Sequence, residues 1–243
     1  MSMQVLILSA GRGYRLMPLT ADVPKTLVKL GDRPLLEWQI KSIQRSGYVR
    51  RISVVSGYLS GLVEQFCEKH GVSAIFNPFY NVWDNLGSLW VGCKSIDMDM
   101  DLLITNGDNV FKPEVFEVMY KPNSITVAVA TKSTPVVAND MKVLTKYQGS
   151  VIEISKEIPS HLTQTLSPGL IKVPVSAIPT FLEALEQAVA CPGAKHHFWL
   201  EVFNILVHLT QVVTVEIPLD SWIEVDHTTD LEESLRKLEG FYV

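Results

Sequence analysis

The sequence predicts an α/β fold, a mainly parallel sheet flanked by helices, on three observations. Short apolar runs alternate with amphipathic stretches at the spacing of βαβ units. The first run, Val5-Leu-Ile-Leu8, breaks at once into small residues, Ser9, Ala10, Gly11 and Gly13, as a buried parallel strand does where it meets a tight turn. The chain has 243 residues, of which 47% are hydrophobic, enough for a substantial core. Right-handed crossovers then give a Rossmann-like wrap.

Each element has its own signal. Pro34 to Gly47 reads as a helix, with Leu35, Leu36, Ile40 and Ile43 on one face and Gly47 as its stop. Arg51 to Val55, Val72 to Phe76 and Asp101 to Thr105 read as further strands, and Leu62 to His70 and Leu86 to Ile96 as the helices between them. Pro113 suits a first helical turn, where its missing N–H costs nothing, and Ser124 to Ala130 is again a strand. The second half changes character. Gln148-Gly149 separates two β-prone runs, Lys142 to Tyr147 and Ser150 to Ile154, as a hairpin does. Leu170 to Val175, Val212 to Ile217 and Trp222 to Val225 read as strands, and Thr180 to Ala190 and Leu200 to Leu209 as helices. Thr229 and Glu232 have capping-box spacing before a final helix to Leu238. With no linker and no repeat, the expectation is one domain over residues 1–243. A first half runs to about residue 130, a smaller region covers about 131–221, and a returning strand and helix cover 222–243.

Composition narrows the function. The net charge is −5, from 21 basic and 26 acidic residues, which argues against a general nucleic-acid binder. Cys67, Cys93 and Cys191 have no C-x-x-C spacing and read as buried free thiols of a reducing compartment. The N-terminal stretch lacks the character of a secretory leader, and no run of about 18 apolar residues is present. A cytoplasmic protein with no membrane partner is expected.

The loop after the first strand concentrates chemistry. Glycine allows positive φ and close approach to main-chain N–H groups, and successive N–H groups form a concave anion site. Arg12, Arg15, Lys25 and Lys29 follow, opposed only by Asp22, so the loop suits a triphosphate. The glycines fit neither the dinucleotide fingerprint, since Leu16 stands where a third glycine is needed, nor a Walker A loop. The full string Gly11, Gly13, Arg15, Leu16, Pro18, Leu19, Thr20, then Pro24, Lys25 and Leu27 resembles the signature of the nucleotide-sugar pyrophosphorylase-like nucleotidyltransferases. The resemblance extends along the chain. Asn106-Gly107-Asp108-Asn109 follows a strand at the ligand end of such a sheet. Trp222-Ile-Glu-Val-Asp226, with Asp230-Leu231, is similar to a segment of cytidylyltransferases that act on phosphocholine and related compounds. Asn77-Pro-Phe-Tyr80, Asn85 and Ser88-Leu89, the run Asn139 to Val143, and Ile154-Ser-Lys156-Glu157 match as well.

The resemblance implies the following site. Leu8, Ala10, Gly11, Gly13, Arg15, Asn85, Ser88 and Asp108 bind the nucleotide, and Arg15 and Lys25 act in catalysis. Asp108 and Asp226 hold magnesium, while Lys156 and Glu201 meet the acceptor in the smaller region. The plainer readings are stated beside these. Asn85 and Ser88 can cap a helix, and Trp83, Phe198, Trp199 and Trp222 are either core or a cation–π cage. His196 and His197 read as loop residues, Asp230 and Glu232 as structural residues of a helix start. The role of Glu224 stays open. The expected protein is a magnesium-dependent nucleotidyltransferase that joins a nucleoside monophosphate, CMP from CTP by resemblance, to a small phosphorylated or phosphonate acceptor and releases pyrophosphate. A hexose-1-phosphate nucleotidyltransferase using UTP, dTTP or GTP is the alternative enzyme, and a nucleotide-sensing domain the alternative of another class. A homodimer is left open.

Overall fold

The structure is a computed structural model that describes residues 2–132, 136–137 and 140–241. Asn139 of the matched central run therefore lies outside the described residues. In chain order the elements are β1 (Met3–Leu8), β2 (Lys29–Leu30), β3 (Arg33–Pro34), α1 (Leu35–Ser46), β4 (Val49–Ser56), α2 (Ser60–Lys69), β5 (Ser73–Phe76), α3 (Asn85–Cys93), β6 (Asp101–Asn106), β7 (Asn109–Phe111) and α4 (Pro113–Tyr120). There follow β8 (Ile125–Thr131), β9 (Lys142–Thr145), β10 (Val151–Ser155), β11 (Thr165–Leu166), β12 (Leu170–Val173), α5 (Ile178–Ala190), α6 (Val202–Leu209), β13 (Val212–Glu216), β14 (Trp222–Glu224) and α7 (Asp230–Glu239).

The main sheet has the order β10-β9-β11-β8-β12-β6-β1-β4-β5, with β13 beside β8. β1 pairs in parallel with β4 and β6, as do β4 with β5 and β13 with β8. This mainly parallel, helix-flanked sheet matches the expected Rossmann-like fold. Side chains alternate across it. Leu6, Leu8, Leu102 and Ile104 pack with α3, α5 and α6 on one face. Val5, Ile7, Val54 and Leu103 pack with α1, α2 and α4 on the other. α3 sits unusually close, because a Cβ at Gly92 would stand 2.7 Å from Leu6 Cδ2 and 2.8 Å from Val55 Cγ2. That seat holds the C-terminal end of α3 against β1 and β4.

Several local expectations are corrected. β12 runs antiparallel to both β6 and β8; all four of its residues are buried, and a strand covered on both faces looks the same in either direction. The two-residue strands β2, β3 and β11 and the three-residue β7 are too short for a period to show. α3 ends at Cys93 instead of Ile96. Asp84 caps it by accepting the Asn85 N–H, so neither Asn85 nor Ser88 is the cap. The capping box at Thr229 does not form, since Thr229 is already helical and makes no side-chain cap bond. Cys67 and Cys93 are buried, but Cys191 is exposed. The hairpin is as expected, with Gln148 and Gly149 both at positive φ.

A buried ion pair ties β6 to β12. Lys172 Nζ lies 3.0 Å from Asp101 Oδ2, with side chains 1% and 4% exposed. Lys172 also donates to the carbonyls of Tyr120 and Pro122, and Asp101 accepts the Val175 N–H. Breaking one side of such a pair strands a charge in the interior. Asp101→Ala is expected to cost roughly 3–5 kcal/mol, read as the shift in the denaturant unfolding curve.

Candidate active site

A cleft of about 400 Å³ opens where β1 and β6 end, the side of an open α/β sheet that binds ligands. Its floor is the glycine loop. Gly13 has φ +67°, and a Cβ there would meet Lys25 Cβ at 2.7 Å, so only glycine lets the lysine cross beneath the loop. Thr20 Oγ1 donates to the Gly13 carbonyl at 2.9 Å, and Tyr58 N–H donates to the Ala10 carbonyl at 3.0 Å. The loop is thereby pinned at both ends, with its glycines facing the cleft.

Lys25 sits at the centre. Its Nζ donates to Asp108 Oδ2 and to Asp226 Oδ1, each at 2.7 Å. Arg15 reaches Asp226 Oδ2 at 2.8 Å. Asp108 arrives on the turn between β6 and β7, and Asp226 just after β14, which pairs with β7. The Val225 N–H donates to the Asp108 carbonyl at 3.1 Å and closes the join. Burial pulls the Lys25 ammonium down, but Asp108 and Asp226 outweigh it and hold it above its usual value. Burial likewise pushes the Asp226 carboxyl up, yet Lys25 and Arg15 overcome this and keep it low.

Glu224 completes a triad of carboxylates. Oxygens of Asp108, Glu224 and Asp226 lie within 4.8 Å of one another. Glu224 lines the cleft and is exposed, with protein excluding water from part of its carboxyl. That partial desolvation comes first in raising its carboxyl to about 8; Asp108 and Asp226 add to the rise, and Lys25 and Arg15 oppose it. Three carboxylates face two cations, and Asp108 Oδ1 is buried with no protein partner. An all-oxygen donor set with a spare buried oxygen fits a hard divalent cation.

The other expected residues divide. Leu8, Gly11, Gly13, Asn85 and Lys156 line the cleft with Arg15, Lys25, Asp108 and Asp226. Lys156 Nζ stands 4.3 Å from the centre of the Phe198 ring. Asn85 Oδ1 is engaged by the Trp199 N–H at 2.8 Å. Ala10, Ser88 and Glu201 are not among the lining residues. Ser88 Oγ accepts from Asn77 Nδ2, and Glu201 Oε1 accepts the Phe198 N–H. Arg12 lies over the rings of Tyr14 and Tyr58 instead of in the cleft. The four aromatics do not form a cage. Trp199 is buried and its indole N–H donates to Asn106 Oδ1, while Trp83 packs on Gly87 and Trp222 joins the core below the sheet.

Glu224, Thr26, Asn106 and Ser167 also line the cleft, and none was singled out for it. Glu224 carried a usable signal, since residues two apart in an extended chain share a side. Thr26 did too, lying inside the matched Pro24–Leu27 string. Ser167 had none.

The model of the MobA-like NTP transferase domain matches residues 5–195, most of the chain. The chain belongs to that family. It is similar to the CTP:phosphoglutamine cytidylyltransferase of Campylobacter jejuni, 25% identical over 255 residues that span 97% of this chain and 100% of that one. The choline-phosphate cytidylyltransferase of Streptococcus pneumoniae is 38% identical over 89 residues, 37% of this chain and 38% of its own. The solved structure of CTP:phosphocholine cytidylyltransferase from Streptococcus pneumoniae superposes with a TM-score of 0.80 at 20% identity, over 98% of this chain and all of that one; at this identity it speaks for the fold. The protein is an enzyme, a nucleotidyltransferase. Among the described residues no helix is long and apolar enough to cross a membrane.

The carboxylate triad gives this NTP transferase a pH signature. A carboxyl raised in the folded state binds its proton more tightly folded than unfolded. The stabilisation is full below the unfolded value of 4.5 and is lost as pH climbs through about 8. The thermal midpoint of metal-free protein should fall across that window, and Glu224→Gln should flatten the fall. Differential scanning calorimetry of both proteins from acid to alkaline pH checks it; identical pH slopes would contradict the shift.

Proposed function

We propose that this nucleotidyltransferase joins CMP from CTP to a small phosphorylated or phosphonate acceptor, with magnesium, and releases pyrophosphate. The observation that carries this reading is the single lysine bridging Asp108 and Asp226 under a glycine loop, in a chain whose full-length relative is a cytidylyltransferase. The acceptor's oxygen attacks the α-phosphorus and the pyrophosphate oxygen leaves. No bond to the protein is needed, so catalysis is positioning and charge neutralisation. The glycine loop offers N–H groups to the phosphates. Lys25 and Arg15 neutralise charge that builds on them as the bond breaks. Asp108 and Asp226, with Glu224 beside them, would hold magnesium, which supplies polarisation of the phosphoryl oxygens. Lys156, on the opposite wall, meets the acceptor's phosphate. The first half then binds nucleotide and about residues 131–221 bind acceptor.

Lys25→Ala and Arg15→Ala are expected to lower turnover by about two orders of magnitude or more, the scale for removing a charge contact made in the transition state. Pyrophosphate release at saturating substrates measures it, and near-normal turnover in both variants would remove them from the mechanism. A matrix of four NTPs against phosphorylated acceptors tests the substrate reading. CTP with a small alcohol or amino-acid phosphate should give the highest kcat/KM. Higher values for UTP or dTTP with glucose 1-phosphate would overturn it.

A further inference from the structure

Asp230 begins α7, yet its carboxylate turns back from the helix. Oδ2 accepts the N–H of Asp226 at 2.8 Å and of His227 at 2.7 Å. The preceding N–H, of Val225, is held by the Asp108 carbonyl. Three consecutive main-chain donors around Asp226 are therefore fixed, two of them by one oxygen. Each residue has only two soft backbone torsions, so fixing these donors fixes the direction of the Asp226 Cα–Cβ bond, from which the carboxylate reaches Lys25 and Arg15. Asp230 in turn has a rigid base. Leu238 of α7 and the following Phe241 share one buried cluster with Leu16, Val110, Ile223 and Val225. Leu16, Ile223 and Val225 adjoin Arg15, Glu224 and Asp226 along the chain, and Val110 stands two residues after Asp108. Leu235 packs against Gly31.

We infer that Asp230 is a positioning residue for the nucleotidyl transfer, aiming the Asp226 carboxylate through its main chain and making α7 part of the active-site frame. The inference rests on the proposed role of Asp226. What Asp230 supplies first is an acceptor oxygen at one place; both partners are neutral N–H groups, and its charge strengthens the two bonds without setting their position. The side chains that could stand there separate the two properties. Asp230→Asn keeps the oxygen and drops the charge. Asp230→Glu keeps the charge and moves the oxygen by one methylene. Asp230→Ala removes both.

Two measurements on these variants test the inference. The first is amide hydrogen exchange by NMR on protein free of nucleotide and metal. The Asp226 and His227 amides should lose protection by about tenfold or more in the Ala and Glu variants and keep it in Asn, while the Leu238 amide of α7 stays protected throughout. The second is steady-state kinetics with CTP and magnesium. kcat should fall by about 10- to 100-fold in Ala and Glu, as when a supporting hydrogen bond to a metal ligand is lost, and stay within about threefold in Asn. The KM for the acceptor should not move. If Asp230→Ala does not fold, the Asn and Glu pair decides alone. The inference is overturned if Asn is as impaired as Ala while Glu is active, if Leu238 loses protection together with Asp226, or if amide protection and turnover are unchanged in Ala and Glu. The exchange arm uses no substrate, so it stands or falls separately from the cytidylyl reading, which fails if the unaltered enzyme turns over no CTP.

Discussion

Lys25 reaches two carboxylates that stand 83 and 201 positions further along the chain, and the rest of the site is arranged around that contact. A single ammonium between two aspartates requires three segments to arrive within a few ångströms: the loop after β1, the turn after β6 and the end of β14. Each arrives by a different route. The glycine loop is thrown out by the end of a central strand. Asp108 follows a strand hydrogen-bonded to β1 along its length. Asp226 comes from near the end of the chain and is brought in by a three-residue strand whose only sheet partner among the described residues is β7. The like charges of Asp108, Glu224 and Asp226 would push these segments apart, and the cations of Lys25 and Arg15 keep them together. The crowding that adds to desolvation in raising the Glu224 carboxyl therefore prepares the place where a divalent cation is welcome.

Apolar packing carries the alignment that charge alone could not. Leu16, Ile223 and Val225 lie next to charged residues in sequence and Val110 two positions after Asp108, and all four pack into one cluster closed by Leu238 and Phe241. Coulomb attraction is weakly directional and softened by water in an open cleft, whereas a close-packed cluster admits few arrangements. The alternation of charged and apolar residues along β14 thus has two outcomes at once: carboxylates toward the cleft, anchors toward α7.

How much of this could be read from the sequence depended on how far each feature reaches. The alternation of strands and helices, the helix stop at Gly47 and the hairpin at Gln148-Gly149 are local, and the structure has them where their residues say. The pairing of Asp108 with Asp226 is long-range and was legible only through the family resemblance: the order of a parallel sheet does not give it, because Asp226 follows β14, which pairs antiparallel with β7 in a separate two-stranded sheet. Direction within a fully buried strand was not legible, so the antiparallel course of β12 went unseen. Neither was the competition for hydrogen bonds: Ser88 reads as a nucleotide contact or a cap and is engaged by Asn77, and Thr229 reads as a cap whereas Asp230 takes up the loop amides. The aromatic residues show the same limit, since Trp199 is committed to Asn106 inside the protein and only the fold could reveal that.

The reversed strand β12 has a consequence for how such an enzyme can change. Because it runs against β6, its beginning lies at the rim where β6 ends, so Ser167, Pro168 and Gly169 enter the cleft beside Asp108. Past this entry the strand is core: its four residues are buried, and Lys172 pairs with Asp101 of β6. Substitutions at Ser167 and Pro168 alter the cleft lining beside Asp108 while the glycine loop, Lys25 and the carboxylates, carried by other segments, keep their places. The room for such change ends where the strand enters the core at Leu170.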